Sequence, residues 1–343
     1  MNYQELYKED LLNVIKVIPN IESLRGKSFL ITGATGLICS SVADILFVLN
    51  KILNYNIKIF LAGRNLENIH SRFNAYNNQE YEFIYYDATK EWEADFYVDY
   101  VIHGASYSDP ISYSTIPVEI MLSNIIGLKC LLDYVKEIKA KRLLYVSSSE
   151  VYGKKESAEP YKETDYCYLD ILNPRACYPS SKRAAESLCV SYLEEYSVDA
   201  VIVRPGHIYG PQITKNDSRA AAQFIRKAFA SENIIMKSAG TQVRSYCYSL
   251  DCASAILTVL LNGNKGEAYN ISNKHSIASI RELAEELATV SGTHVVFDVP
   301  SDIERKGYNM MDNSSLNASK LEALGWRGLY SLADGCKHTL SLM

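Results

Sequence analysis

The stretch Phe29-Leu30-Ile31-Thr32-Gly33-Ala34-Thr35-Gly36-Leu37-Ile38-Cys39 decides how the rest of the chain is read. A run of apolar and β-branched residues, as in a buried strand, meets two glycines three apart and then an apolar helical pattern. Gly33 permits a tight turn. Gly36 lets a pyrophosphate approach the backbone at a helix N-terminus, where unpaired N–H groups and the helix dipole favour an anion. The third glycine of such a turn, which lets helix and strand pack closely, is Cys39 here. Its small side chain predicts slightly wider packing and a preserved site. Thr35, Leu37 and Ile38 complete the expected cofactor-binding set. Strand, turn and helix in this order point to dinucleotide binding.

Outward from that turn, short strand-like runs (29–32, 57–61, 81–86, 100–103, 143–147 and 200–204) alternate with helical patterns (37–49, 118–139 and 180–196). Such alternation predicts an α/β fold, a doubly wound parallel sheet of the Rossmann type. The strands are apolar throughout, as suits a sheet covered on both faces. After Pro205 the rhythm changes to shorter strands (234–236, 243–248, 268–272, 294–299) among helices (219–230, 250–262, 277–290), which predicts a smaller C-terminal α+β lobe. The expected division is an N-terminal helical extension over 1–26, a dinucleotide-binding domain over 27–205, and a substrate-binding lobe over 206–343 that is free to interleave with it.

At 343 residues the chain is long enough for two such units. Thirty-five basic residues against 40 acidic ones give a net charge of −5, so general binding to nucleic acid or to an anionic membrane is not expected. The first 20 residues carry Glu5, Lys8, Glu9 and Asp10, unlike a signal peptide. No apolar run approaches the ~18 residues of a membrane span. Eight cysteines show no CxxC spacing, which predicts a reduced, cytoplasmic, metal-free protein.

The second strand ends Leu61-Ala62-Gly63-Arg64-Asn65-Leu66, with no acid before Glu67. A carboxylate there would accept from the ribose hydroxyls of NAD, whereas a 2′-phosphate needs a cation. Arg64 leans the site towards NADP, and an exposed arginine opening the next helix is the plainer alternative. Asp87 and Ala88, after the third strand, are placed to meet the adenine. A second signal is Tyr178-Pro179-Ser180-Ser181-Lys182, which sets a phenol and an ammonium four apart on one helix face. An ammonium near a phenol favours the phenolate. With 26 tyrosines, chance YxxxK spacings are common. The preceding Ser147-Ser148-Ser149-Glu150-Val151-Tyr152-Gly153, at the end of a predicted strand, gives this one weight, because ligands sit at such strand ends.

From about Lys27 to Trp326 the chain resembles the extended short-chain dehydrogenase/reductases that act on nucleotide sugars as epimerases, dehydratases and decarboxylases. The resemblance is carried by the TGATGLI turn, Asn124-Ile125-Ile126-Gly127, SSSEVYG, YPSSK, Arg204-Pro205-Gly206-His207-Ile208-Tyr209-Gly210-Pro211 and Gly240-Thr241-Gln242-Val243-Arg244-Ser245-Tyr246. It implies that Tyr178 is the catalytic base, Lys182 its electrostatic partner and ribose anchor, and Ser148 the hydroxyl that hydrogen-bonds the reacting sugar oxygen. Asn124, His207, Tyr209 and Arg244 then fall on the substrate side, with Arg244 at the phosphates. His103 is read as packing. It further implies C4 oxidation of the sugar and a homodimer formed through two helices per subunit.

Branching within that family turns on Ser149 and Glu150. The 4,6-dehydratases carry Asp-Glu there, and simple 4-epimerases carry small residues at both positions. Ser-Glu, with Pro174-Arg175-Ala176-Cys177-Tyr178 and Lys182-Arg183, is similar to the UDP-glucuronate decarboxylases. The absent ribose carboxylate suits an NADPH-dependent nucleotide-sugar reductase instead, and an epimerase or a non-catalytic cofactor-sensing protein stays open. Arg305 is a candidate to hold a substrate carboxylate.

Overall fold

The computed structural model describes residues 3–108, 110–214, 217–298 and 311–343. Arg305 lies outside these. Seven parallel strands form the central sheet: β1 (Ser28–Thr32), β2 (Lys58–Gly63), β3 (Glu82–Tyr85), β4 (Tyr100–His103), β5 (Arg142–Val146), β6 (Ala200–Pro205) and, from much later in the chain, β10 (Ala268–Ile271). Their order is β10-β6-β5-β4-β1-β2-β3. The order reverses on either side of β1, so the crevice at the carboxyl ends of β1 and β4 is where this architecture takes a ligand.

The apolar runs serve both faces at once. Phe29 and Ile31 point into one core with Ile59 and Leu61, while Leu30 points into the other with Phe60 and Ala62, as the two-residue period of a strand requires. The first face is covered by α2 (Leu37–Leu53) and α8 (Ser249–Asn262), which pack on each other. The second is covered by α5 (Pro117–Ile138) and α6 (Cys177–Tyr196), likewise packed together. Short helices α3 (Leu66–Arg72) and α4 (Pro110–Thr115) fill the connections.

The lobe beyond the sheet is built on β7 (His207–Tyr209) and β9 (Val243–Tyr248), paired in parallel with His207 opposite Tyr246. Helix α7 (Ala220–Phe229) and the two-stranded pairing of β8 (Ile234–Met236) with β12 (Val295–Phe297) lie beside them. The sequence pattern predicts one helix over 277–290. Instead, β11 (Ile277–Ser279) pairs antiparallel with β9, and α9 (Ile280–Ser291) starts after it. Ser279 and Glu282 form a reciprocal capping box there, a start signal that outweighs the apolar periodicity running through it.

Helix α1 (Tyr3–Lys16) packs on α2 and α8, burying Leu11, Val14 and Ile15. It is tied down by polar groups from distant parts of the chain. The Asp10 carboxylate, 1% exposed, accepts from the hydroxyls of Tyr248 (3.1 Å) and Tyr330 (2.9 Å) and from His338 Nδ1 (2.9 Å). Tyr7 donates to Asp44, which also receives Arg72 and Tyr76. Residues 3–16 therefore belong to the base of the fold.

Hydrogen bonding to Asp10 raises the His338 pKa above its ordinary value. A histidine whose folded pKa is raised contributes stability fully below the unfolded pKa of ~6.5 and loses it as pH climbs through the folded value. Asp10→Ala is expected to cost about 2–4 kcal/mol, because two buried hydroxyls and a partly buried imidazole lose their acceptor. The loss should be larger at pH 6 than at pH 8, as read from urea unfolding at the two pH values.

Candidate active site

The glycine turn fits a dinucleotide. Gly33 has φ +67°, and a Cβ on it would lie 2.8 Å from Ala105 N and from the Gly104 carbonyl, so only glycine closes the turn without displacing backbone. Gly36 caps α2 without any side-chain hydrogen bond, which leaves the first amides of that helix, those of Leu37 and Ile38, to an anion. Cys39 is buried with its Sγ directed at Gly104, where a Cβ would collide with it. The space expected from a third glycine of the turn is thus supplied from β4.

Beside the turn lies a cleft of about 240 Å³ lined by Gly33, Thr35, Gly36, Gly63, Arg64, Asp87, Ala88 and Tyr107, among others. Asp87 Oδ1 accepts from the amide (3.1 Å) and the hydroxyl (2.8 Å) of Thr89. Burial pushes this carboxyl up, but those hydrogen bonds and the nearby cations outweigh it and hold the pKa below the usual range. Arg64 projects from the end of β2 and donates to the Tyr107 hydroxyl (2.9 Å), which in turn donates to Glu119 (2.8 Å). Arg64 is the one cationic side chain among the residues lining this cleft.

The chemical centre sits where β5 ends and α6 begins. Ser148 caps a 3₁₀ turn (Ser149–Tyr152) by accepting from the Glu150 amide (3.2 Å). A second 3₁₀ turn, Pro174–Ala176, capped by Asn173, delivers the chain into α6. The two turns bring Arg175 to Glu150 in a two-point clasp, Nη1 to Oε2 at 3.1 Å and Nη2 to Oε1 at 3.2 Å. Tyr178, 6% exposed, stacks on Tyr113 with centroids 4.7 Å apart and planes 17° from parallel. Ser148 and Tyr113 both act on its hydroxyl in favour of the phenolate. Ser149 is buried beside them.

Burial, reinforced by the Glu150 charge, pushes the Tyr178 phenol up to about 12, and Ser148, Arg219 and Tyr113 act in the opposite direction. The sequence assigns Lys182 the task of ionising Tyr178. In the structure its ammonium donates to the Val146 carbonyl (2.9 Å) and lies over the Tyr145 ring, 5.7 Å from the Tyr178 centroid. Burial lowers the Lys182 pKa to about 7. Arg219, fixed to Asp217 on the far side of the cleft, is the cation that acts on the phenol most directly. One turn beyond Lys182, Glu186 receives Arg204 (3.0 and 2.6 Å) and Ser147 (2.5 Å), locking α6 to β5 and β6.

Two residues expected on the substrate side, Asn124 and Tyr209, are placed differently, and Arg244 is largely enclosed. Asn124 is fully buried and donates to Ser181 Oγ (3.0 Å), so it joins α5 to α6. Tyr209 is fully buried under the C-terminal helix Leu332–Ser341, its hydroxyl 3.4 Å from the Leu332 carbonyl, because the apolar face of β7 continues there into the lobe core. Arg244 is 3% exposed, and its Nη1 donates to the carbonyls of Val243 (2.9 Å) and Met311 (2.8 Å). Its charge still acts on Glu150 and His207 electrostatically. His103 is buried and shares a hydrogen bond with Thr32 (2.7 Å), a packing role. Sequence reasoning misses Tyr113, Arg219 and the function of Arg175. Only Arg175 has a local signal, its position three residues before Tyr178.

Comparison with known proteins agrees with this geometry. The NAD dependent epimerase/dehydratase family model matches residues 29–272. UDP-glucuronic acid decarboxylase 1 of Xenopus tropicalis is 30% identical over 322 residues, covering 92% of this chain and 71% of its own. UDP-glucuronic acid decarboxylase 3 of Arabidopsis thaliana is 28% identical over 333 residues, covering 94% and 93%. Among solved structures, the UDP-glucuronic acid 4-epimerase of Bacillus cereus in complex with UDP-glucuronic acid and NAD superposes with a TM-score of 0.75 at 23% identity, over 92% of this chain and 98% of that one. The dTDP-glucose 4,6-dehydratase of Bacillus anthracis in complex with NAD gives a TM-score of 0.73 at 22% identity, over 92% and 96%. The chain belongs to the NAD dependent epimerase/dehydratase family, enzymes that modify sugar nucleotides.

Proposed function

We propose that this protein is a nucleotide-sugar lyase that decarboxylates UDP-glucuronate. The observation that carries the reading is the Glu150 carboxylate clasped by Arg175 next to Tyr178, with buried Ser149 where a dehydratase would need an acid for the departing C6 oxygen. Gly33, Gly36 and the amides of Leu37 and Ile38 would hold a nicotinamide dinucleotide, which would supply a reversible acceptor for the C4 hydride. Tyr178, as phenolate, takes the C4 hydroxyl proton while Ser148 holds that oxygen. Tyr113, Ser148 and Arg219 favour the phenolate form. The resulting C4 ketone stands β to the C6 carboxylate, so the C5–C6 bond breaks, carbon dioxide leaves, and its electron pair becomes an enolate on the C4 oxygen. Protonated Tyr178 hydrogen-bonds that oxygen. C5 then takes a proton from water, and Tyr178 returns its own proton to the C4 oxygen. Glu150, oriented by Arg175, offers its free lone pairs to the sugar hydroxyls. Incubation with UDP-glucuronate should yield a UDP-pentose detectable by mass spectrometry, and Tyr178→Phe should lower kcat by about 10³-fold. Absence of UDP-pentose overturns this assignment.

For the cofactor, Arg64 in the adenosine cleft supports a preference for a 2′-phosphorylated dinucleotide. Its guanidinium is already oriented by Tyr107 and Glu119, and a phosphate would gain a charge-assisted hydrogen bond from it. The same observation favours a second reading, an NADPH-dependent nucleotide-sugar reductase, which would consume NADPH in proportion to an added keto-sugar nucleotide. Arg64→Asp is expected to weaken NADP⁺ binding by about tenfold or more and to leave NAD⁺ binding intact or improved, as followed by fluorescence titration. Equal loss for both dinucleotides would remove Arg64 from cofactor selection.

The apolar side chains Val118, Met121 and Leu122 of α5 and Val190 of α6 are exposed on neighbouring helices. They support a homodimer that covers this face. Light scattering on the purified protein should give twice the chain mass, and Met121→Glu with Leu122→Glu should return a monomer.

A further inference from the structure

We propose that His207 is a proton-linked reader of the substrate's diphosphate, taking up a proton as the nucleotide sugar binds. This rests on the nucleotide-sugar reading above. The geometry begins with β7 and β9. His207 stands opposite Tyr246 in the parallel pairing, with the two rings edge to face at 5.9 Å. Arg244 lies two residues before Tyr246, on the same face of β9, as strand alternation requires. Arg219 approaches from the N-terminal end of α7, held by Asp217. Its charge acts on Tyr178 and Tyr113 as well as on His207, and the charge of Arg244 acts on Glu150 as well as on His207. Arg219 Nη1 also reaches the Ile208 carbonyl (3.4 Å), next to His207, so the imidazole lies among the same arginines whose charges act on Tyr178 and Glu150.

Two features of that placement ask for a ligand. The His207 Nδ1 is buried with no hydrogen-bond partner, a costly state for a polar atom unless something pairs with it when the protein works. Two arginines also act on the one imidazole, and Glu150 and Asp312 are carboxylates that act on Arg244. Asp217 is engaged by Arg219, and Glu150 by Arg175. From the other elements packed on β7, Asp44 of α2 is engaged by Arg72, Tyr7 and Tyr76, and Asp251 of α8 by Asn273 and the amides of Leu329 and Tyr330. The neighbouring phenols of Tyr209, Tyr246 and Tyr248 are uncharged at neutral pH, their pKa values raised by burial.

Without an anion, burial and the two guanidinium charges lower the His207 pKa to about 3, so the ring is neutral. A diphosphate between Arg219 and Arg244 cancels those charges and adds negative charge, so the pKa rises in the complex. Where folded-state pKa values differ between free and bound forms, binding takes up protons at any pH between them, and affinity increases as pH falls.

Isothermal titration with UDP-xylose tests this, since its diphosphate diester does not change charge near neutrality. Titrations in two buffers of different ionisation enthalpy count the protons taken up. The wild-type protein should take up a sizeable fraction of one proton at pH 6 and bind about tenfold more tightly at pH 6 than at pH 8. His207→Asn, verified as folded by its melting curve, should bind with no proton uptake and a flat profile. Wild-type binding with no proton uptake would overturn the proposal without recourse to any variant, as would an unchanged uptake in His207→Asn. Failure of UDP-xylose to bind at any pH would instead overturn the nucleotide-sugar reading beneath it.

Discussion

The buried ion pair between Glu186 and Arg204 fixes the position of everything that matters chemically. Both residues are less than a tenth exposed. Arg204 extends the same set of bonds to the Tyr152 hydroxyl (3.0 Å) and the Glu163 carbonyl (2.9 Å), and Tyr152 passes it to Asn270 (2.6 Å). One cluster therefore holds β5, β6, β10 and the 3₁₀ turn against α6, the helix that carries Lys182 one turn and Tyr178 two turns upstream of Glu186. Removing one member of such a pair leaves an uncompensated charge in the interior, at a cost of roughly 3–5 kcal/mol. The orientation of Tyr178 is in this sense a property of Glu186, eight residues and about two helical turns away.

Around that frame the charges are arranged in opposition. Glu150 raises the phenol of Tyr178 and Arg219 lowers it, and the two sit on different sides of the cleft, one on the sheet domain and one at the start of α7. The helical spacing of Tyr178 and Lys182 is real, and it sets the ammonium 5.7 Å from the Tyr178 ring centre. The lysine is turned towards a carbonyl and an aromatic face, both of which satisfy an ammonium. The lobe contributes to the phenol through Arg219, so the acid–base state of Tyr178 depends on how the lobe sits.

Much of the architecture was legible in the sequence because it follows from local periodicity. The six strand-like runs before Pro205 all lie on strands β1 to β6, and the glycine turn falls at the switch point of the sheet. Local pattern failed where a short signal competed with a longer one, as at Ile277–Ser279, where three residues of strand precede a helix that the apolar spacing had extended backwards. It also failed where the partner is remote in the chain. Nothing near Asp10 announces His338, and nothing near Glu150 announces that Arg175 will clasp it. Tyr113 was lost among many tyrosines because stacking on Tyr178 is a product of α4 and α6 meeting, which no window of sequence contains. Tyr209 and Asn124, which carry the family resemblance, are fully buried here, and a motif does not say which way each side chain faces.

The meeting of Cys39 with Gly104 has its own consequence. The room that lets helix α2 lie close to the sheet is a shared volume, owned jointly by two positions 65 residues apart, and here the sulfur occupies it from one side. An alanine at position 104 would strike the thiol, and a glycine at position 39 would leave a void about the size of the missing group. The two positions are free to change only together, so the occupant of the second is part of what defines the nucleotide cradle, although it lies outside the glycine motif by which such cradles are usually found.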